Sequence, residues 1–212
     1  MKILLATQNL GKYKEIRRML EPLSVEVILP QEKLDVEEKG NSFMENAYIK
    51  AMAYFEKYRI PTLADDSGLV VPSLGGYPGV FSSRFYSIDW GGREEVQTSE
   101  DEANIKKLLR VMKDVSDRRA YFKAVLCLVL EEGLSIFSEG ICEGEIVHSP
   151  KGSGGFGYDP IFKPKFYEKT MAELSPEEKD LISHRGKALR KLKEFLEIWK
   201  KCGEVVLKIQ TH

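Results

Sequence analysis

Residues 2–29 read KILLATQNLGKYKEIRRMLEPLSVEVIL, and their reading decides the fold class. Residues 2–6 are apolar enough for a buried strand. A polar stretch with one glycine follows, Thr7-Gln8-Asn9-Leu10-Gly11-Lys12. Ile16, Met19, Leu20 and Leu23 then recur at helical spacing until Pro22 closes the helix. Residues 25–29 alternate toward a second strand. Strand, loop, helix and strand in that order make an α/β unit.

The pattern continues outward from this unit. Residues 31–40 form an acidic loop, and Ser42 with Glu45 opens a capped helix that runs to about Tyr58. Thr62-Leu63-Ala64 enters a strand that carries Asp65-Asp66-Ser67-Gly68 and continues through Val71. Residues 74–92, rich in glycine and aromatics, read as loop. Ser99 with Glu102 caps another helix, and residues 121–130 and 134–147 read as a long hairpin turning at Glu132-Gly133. After the glycine-rich residues 151–160, Ser175-Pro176-Glu177-Glu178 starts a helix. That helix is open to a break at Ser183, and Gly203 is its expected stop. Residues 204–209 read as a short strand-like tail.

Composition narrows the function. The 212 residues carry 31% charged side chains yet a formal net charge of -1, which disfavours binding to a nucleic-acid polymer through bulk charge. Cys127, Cys142 and Cys202 have no metal-ligand spacing and are odd in number, against a disulfide framework or a zinc site. No apolar run is long enough for a signal peptide or a membrane span, so a cytoplasmic location is expected.

Several stretches could carry chemistry. Residues 7–12 lie where a strand hands over to a helix, a place that suits phosphate, with Lys12 adding a full charge. An ordinary turn capped by Asn9 is the plainer alternative. Asp65 and Asp66 close an apolar strand, where two acids need positive charge nearby, and a hard cation such as Mg²⁺ is one source of it. Adjacent strand residues point to opposite faces, so only one of the two needs to meet a metal. The acidic loop, with Glu37 and Glu38, offers a further carboxylate. Asn46 and Lys50 share a helical stripe. Glycines around Phe156 allow close approach of backbone to a ligand, and the ring suits stacking on a flat base, although Tyr158 in the same loop could equally belong to the core. Lys179, Ser183, His184 and Arg185 gather donors near a helix start. With three histidines in the chain and no nucleophile–base order evident, water is the economical nucleophile.

Taken in order, these landmarks resemble the inosine triphosphate pyrophosphatase family, which acts on non-standard purine nucleoside triphosphates. The resemblance runs from Met1 to about Trp199. It rests on residues 7–12, on Glu45-Asn46-Ala47 with Lys50-Ala51, and on Ala64-Asp65-Asp66-Ser67-Gly68-Leu69. Further along come Gly76-Tyr77-Pro78-Gly79 with Ser82 and Arg84, Gly154-Gly155-Phe156-Gly157-Tyr158-Asp159-Pro160, and Ser183-His184-Arg185-Gly186. The resemblance implies one elongated α/β domain over residues 1–212, a mixed sheet bent into two lobes around a central cleft, and a homodimer. It implies hydrolysis of inosine, deoxyinosine and xanthosine triphosphates to the monophosphate and pyrophosphate with Mg²⁺ as cofactor. By the same resemblance, Thr7, Gln8, Asn9, Leu10, Gly11 and Lys12 would hold the triphosphate with Lys50 and Ser67. Asp66 would accept a proton and face the metal with Glu37 as the other ligand, Glu38 being the alternative. Phe156, Gly157, Tyr158, Asp159, Lys179, His184 and Arg185 would frame the base. A 6-oxo purine offers an acceptor where adenine offers a donor, and each buried mismatch costs roughly 1–3 kcal/mol. Residues 202–212 extend past where shorter members stop. A Maf-like pyrophosphatase acting on modified pyrimidines and a non-catalytic nucleotide-binding module are the competing readings.

Overall fold

The computed structural model describes residues 1–210, with side chains through Cys202. Six strands form one mixed sheet in the order β2-β1-β3-β4-β5-β6. β1 (Lys2–Leu5) lies parallel to β2 (Glu26–Ile28) and β3 (Thr62–Val70), whereas β4 (Arg119–Glu131), β5 (Leu134–Ile146) and β6 (Phe162–Pro164) add on antiparallel. The expected hairpin is β4 and β5, with Gly133 supplying a positive φ at the turn.

Helices cover both faces. α1 (Leu10–Leu20) and α5 (His184–Gln210) close over one face, where Leu5, Ile16, Leu63, Leu126, Leu189 and Leu192 are buried together. α2 (Phe43–Tyr58) covers the other with Ala47, Ala51 and Phe55 against Ala64, Val125 and Cys127. A third cluster packs α3 (Glu100–Val111) and the 3-10 segment Gly79–Ser87 against the far ends of β3, β4 and β5. Residues 74–92, expected as loop, therefore hold helical turns, because Phe85 and the Lys107 ammonium pin them. Lys107 is fully buried and donates to the carbonyls of Phe85 and Ile88 at 2.7 Å each.

Caps behave as their residue types dictate. Asn9, Ser42, Ser99 and Ser175 accept from the backbone three residues on, at the starts of α1, α2, α3 and α4 (Pro176–Ile182). The helix does break at Ser183, whose hydroxyl accepts from Gly186 N. At the C-terminus the expectation fails. Gly203 does not stop the helix, and the tail read as a strand is the last part of α5. Gly lowers helix propensity by about 1 kcal/mol, too little to end a helix by itself. No helix among the described residues is long and apolar enough to cross a membrane.

α5 lies so close to β5 that Gly140 has no room for a side chain. A Cβ there would collide with the carbonyl of His184 and the amide of Ala188. Farther along, Lys187 and Lys191 donate to the carbonyls of Ile141 and Glu139 at 2.7 Å each, beyond the reach of β6, which pairs only with residues 144–146. Gly140→Ala should cost about 1–3 kcal/mol in chemical denaturation by forcing α5 off the sheet. Gly133→Ala, in open space but at positive φ, should cost about 1 kcal/mol.

Candidate active site

Alternation along β3 builds the centre. Leu63 and Asp65 face α1 and α5, while Ala64 and Asp66 face α2. Asp65 is fully desolvated and surrounded by cations. Arg185 Nε donates to it at 2.8 Å and Lys12 Nζ lies at 2.5 Å. Burial alone would raise the Asp65 pKa, but Arg185 and Lys12 outweigh it and hold the carboxyl well below the usual range. Arg185 also donates to Glu15 at 2.6 Å and to Ser67 Oγ at 2.8 Å. Lys179 extends the cage, with Glu15 at 2.8 Å and Asp159 at 2.6 Å.

Asp66 sits across the strand in a different environment. It is 7% exposed, and its Oδ2 has no partner among the described residues. Burial pushes its carboxyl up to about 6 against the pull of Lys50 and Lys12. Lys50 Nζ pairs with Glu38 at 2.6 Å. Burial disfavours the Lys50 charge, but Glu38 and then Asp66 outweigh it, so its pKa is raised.

Most of these groups, though not the buried Asp65 and Glu15, line a cleft of about 550 Å³. Its wall includes Thr7, Gln8, Asn9, Lys12, Lys50, Asp66 and Ser67 together with Phe156, Gly157, Tyr158, Asp159, Lys179, His184 and Arg185, and the two sets meet where Arg185 donates to Ser67. Phe156 places its ring over Lys179 Nζ at 4.7 Å and over the Arg185 guanidinium at 5.5 Å. Gly11 lies behind that ring, where a Cβ would strike it. Cations, helix-start amides and an aromatic ring in one cleft suit a phosphorylated ring compound.

Five expected residues stand differently. Leu10 is 65% exposed and outside the cleft lining, so its side chain takes no part in the cleft. Glu37 is exposed and pairs with Lys39, whereas its neighbour Glu38 turns into the cleft toward Lys50. The carboxylates this loop gives the cleft are therefore those of Asp35 and Glu38, not Glu37. Tyr158 reaches the cleft wall, but its ring lies in the core and its hydroxyl donates to Ser82 O at 2.8 Å. Arg185 spends most of its donors on protein carboxylates. His184 is stacked on Phe122 with ring centroids 4.7 Å apart, and burial holds its imidazole neutral.

Glu15 escaped the sequence reading altogether. Its signal was present: it lies three residues after Lys12 and beside Ile16, on the buried side of α1. An acid there needs cations, and Lys179 and Arg185 supply them.

Residues 3–195 match the Ham1 family, and the chain belongs to that family. It is 58% identical over 197 residues to the dITP/XTP pyrophosphatase of Aquifex aeolicus (strain VF5), covering 93% of this chain and 97% of that protein. It is 43% identical over 202 residues to the dITP/XTP pyrophosphatase of Hydrogenobaculum sp. (strain Y04AAS1), covering 89% and 95%. Among solved structures, a HAM1 protein from Coxiella burnetii superposes with a TM-score of 0.80 at 40% identity, covering 93% of this chain and 98% of that one.

The Asp66 environment has a testable sign. A carboxyl whose folded pKa is raised from 3.8 to about 6 destabilises the fold wherever it is ionised. Without divalent cations, Asp66→Asn should therefore stabilise the protein above pH 6, by up to about 3 kcal/mol. The gain should fade as pH drops from about 6 to 4, where native and unfolded carboxyls are both protonated. Urea denaturation of both proteins across that range reads it.

Proposed function

We propose that this chain is a nucleoside triphosphate pyrophosphatase that hydrolyses dITP, ITP and XTP to the monophosphate and pyrophosphate. The observation that carries this reading is the pairing of opposites across β3. The buried Asp65–Arg185–Lys12 cage fixes the cleft, and Asp66, a carboxyl of raised pKa with a free oxygen, opens into it. The names of the Ham1 relatives agree with it. In the proposed reaction the phosphate chain lies along the α1 start, with Lys12 and Lys50 opposing its charge and Thr7 and Asn9 donating to its oxygens, while Ser67, whose hydroxyl donates to Asp65 Oδ1 at 2.8 Å, lines the wall beside it. Water attacks the α-phosphorus and its proton passes to Asp66. The bond from the α-phosphorus to the bridging oxygen breaks, and pyrophosphate leaves. A carboxylate with a pKa near 6 is mostly ionised at neutral pH yet more basic than an ordinary aspartate, which suits general-base work.

The residues also fit a divalent cation. The partnerless Asp66 Oδ2 and the nearby Glu38 are hard oxygen ligands of the kind Mg²⁺ takes together with waters and phosphates. Such a cation supplies positive charge beside the phosphate oxygens. Beside the phosphate chain, Phe156 stacks on the base while Lys179 faces its polar edge. His184 and Arg185 back that edge; the charge of Arg185 acts there more than its hydrogen bonds, which the cage absorbs. A two-lobed domain acting as a cytoplasmic homodimer belongs to the same reading. Exposed Tyr48, Phe137 and Ile141 give one sheet face the apolar surface that a second copy would cover.

With dITP and Mg²⁺ the expected products are dIMP and pyrophosphate. Orthophosphate as the sole inorganic product would refute the cleavage site. Asp66→Asn should lower kcat by about 100-fold or more while dITP still binds, measured by single turnover and equilibrium binding. Glu38→Gln should raise the Mg²⁺ concentration needed for half-maximal rate about tenfold, and Glu37→Gln should leave it unchanged. The reverse result would restore Glu37 as the ligand.

A further inference from the structure

The loop that presents Phe156 is tied to its surroundings at each residue. Phe156 N donates to Asp159 Oδ2 at 3.0 Å, and Asp159 is itself held by Lys179. The Tyr158 hydroxyl donates to Ser82 O. Gly157 lies between them at φ +61, with open space around it. Its backbone N–H donates to Asp101 Oδ2 at 2.7 Å, a bond that spans 56 residues of sequence.

Asp101 stands on a rigid support. It begins a stripe, Asp101, Asn104 and Lys107, at three-residue spacing along α3. Asn104 and Lys107 are buried at 2% and 0% exposure. Asn104 accepts from Tyr86 N at 2.7 Å and donates to Ser83 O at 3.1 Å, while Lys107 holds the carbonyls of Phe85 and Ile88. The same 3-10 segment accepts the Tyr158 bond at Ser82. The helix and one side of the loop are thus fastened to one support, and Asp101 fastens the loop from its exposed side. Gly157 has no side chain with which to brace itself, so its tie to the helix is made by its backbone, through the N–H that Asp101 accepts.

We propose that Asp101 is a positioning residue for nucleobase recognition. Its carboxylate fixes Gly157, and through the adjoining peptide fixes the Phe156 ring over Lys179 and Arg185. This rests on the reading of Phe156 as the base-stacking residue. The bond lies on the base side of the cleft, remote from Asp66 in role, so it acts on binding of the nucleoside and leaves the phosphate side alone.

The test is a KM-against-kcat comparison with dITP for the unaltered enzyme, Asp101→Ala, Asp101→Asn, Glu102→Ala and Phe156→Ala. Inorganic tripolyphosphate, a base-free chain, serves as competitive inhibitor. Asp101→Ala should raise KM for dITP about fivefold with kcat within about twofold, the size expected for one exposed charge-assisted hydrogen bond. Asp101→Asn, which keeps an acceptor oxygen, should recover most of the loss. Glu102→Ala removes a carboxylate from the same first turn and should leave KM unchanged. The inhibition constant of tripolyphosphate should be the same in all of these variants. An unchanged KM in Asp101→Ala beside a raised KM in Phe156→Ala overturns the clamp and leaves the base site standing. An unchanged KM in both overturns the base site and the clamp together. A KM for dITP and an inhibition constant for tripolyphosphate that rise together in Asp101→Ala also overturn the proposal, since the effect is then on the whole cleft.

Discussion

Asp65 is the point on which the molecule's arrangement turns. A fully buried carboxylate is tolerable only if cations surround it, and here they come from two distant places, Lys12 at the start of α1 and Arg185 at the start of α5. One acid therefore draws together the two ends of the chain and the two sets of residues that wall the cleft. Glu15 and Lys179 continue the cage toward Asp159 and the aromatic loop. Removal of one member of such a set leaves its neighbour buried and uncompensated, at about 3–5 kcal/mol.

The adjacent Asp66 shows how one strand can make two kinds of acid. Alternation sends it to the α2 side, where Lys50 is partly claimed by Glu38 and desolvation prevails. The same residue type, one position apart, is an ion-paired structural anion in one place and a carboxyl of raised pKa in the other. The charged form of Asp66 is held against its own preference for solvent.

Much of this was legible in the amino-acid order. Periodicity located α1, α2 and β5, which each bury one face, and apolar runs with clear starts or stops located β1, β3 and β4, which are buried on both. The rule that strand neighbours point apart foretold that Asp65 and Asp66 face opposite sides of the sheet. The failures have physical reasons. Val205, Val206, Leu207 and Ile209 alternate weakly enough to suit a strand, but continuity with a long helix already under way prevailed over a single Gly203. Glu37 and Glu38 are adjacent in a loop whose exposure alternates, with Leu34, Val36 and Glu38 on the half-buried side. The alternation begun by Leu34 and Val36 was the signal that singled out Glu38, which Lys50 then pairs. Partners of Arg185 were invisible for another reason: Glu15 lies 170 positions away, and no local pattern announces an acid that waits for a distant cation.

The lysines that α5 extends onto β5 have a consequence of another kind. A strand as long as β5, with only its last residues taken up by β6, would ordinarily present a row of free carbonyls inviting any extended peptide to lie alongside. Lys187 and Lys191 occupy two of those carbonyls and leave positive charge along the margin. An incoming chain would have to displace both ammonium groups before pairing could begin. The helix that completes the cleft thus also guards the fold against fibrous self-association.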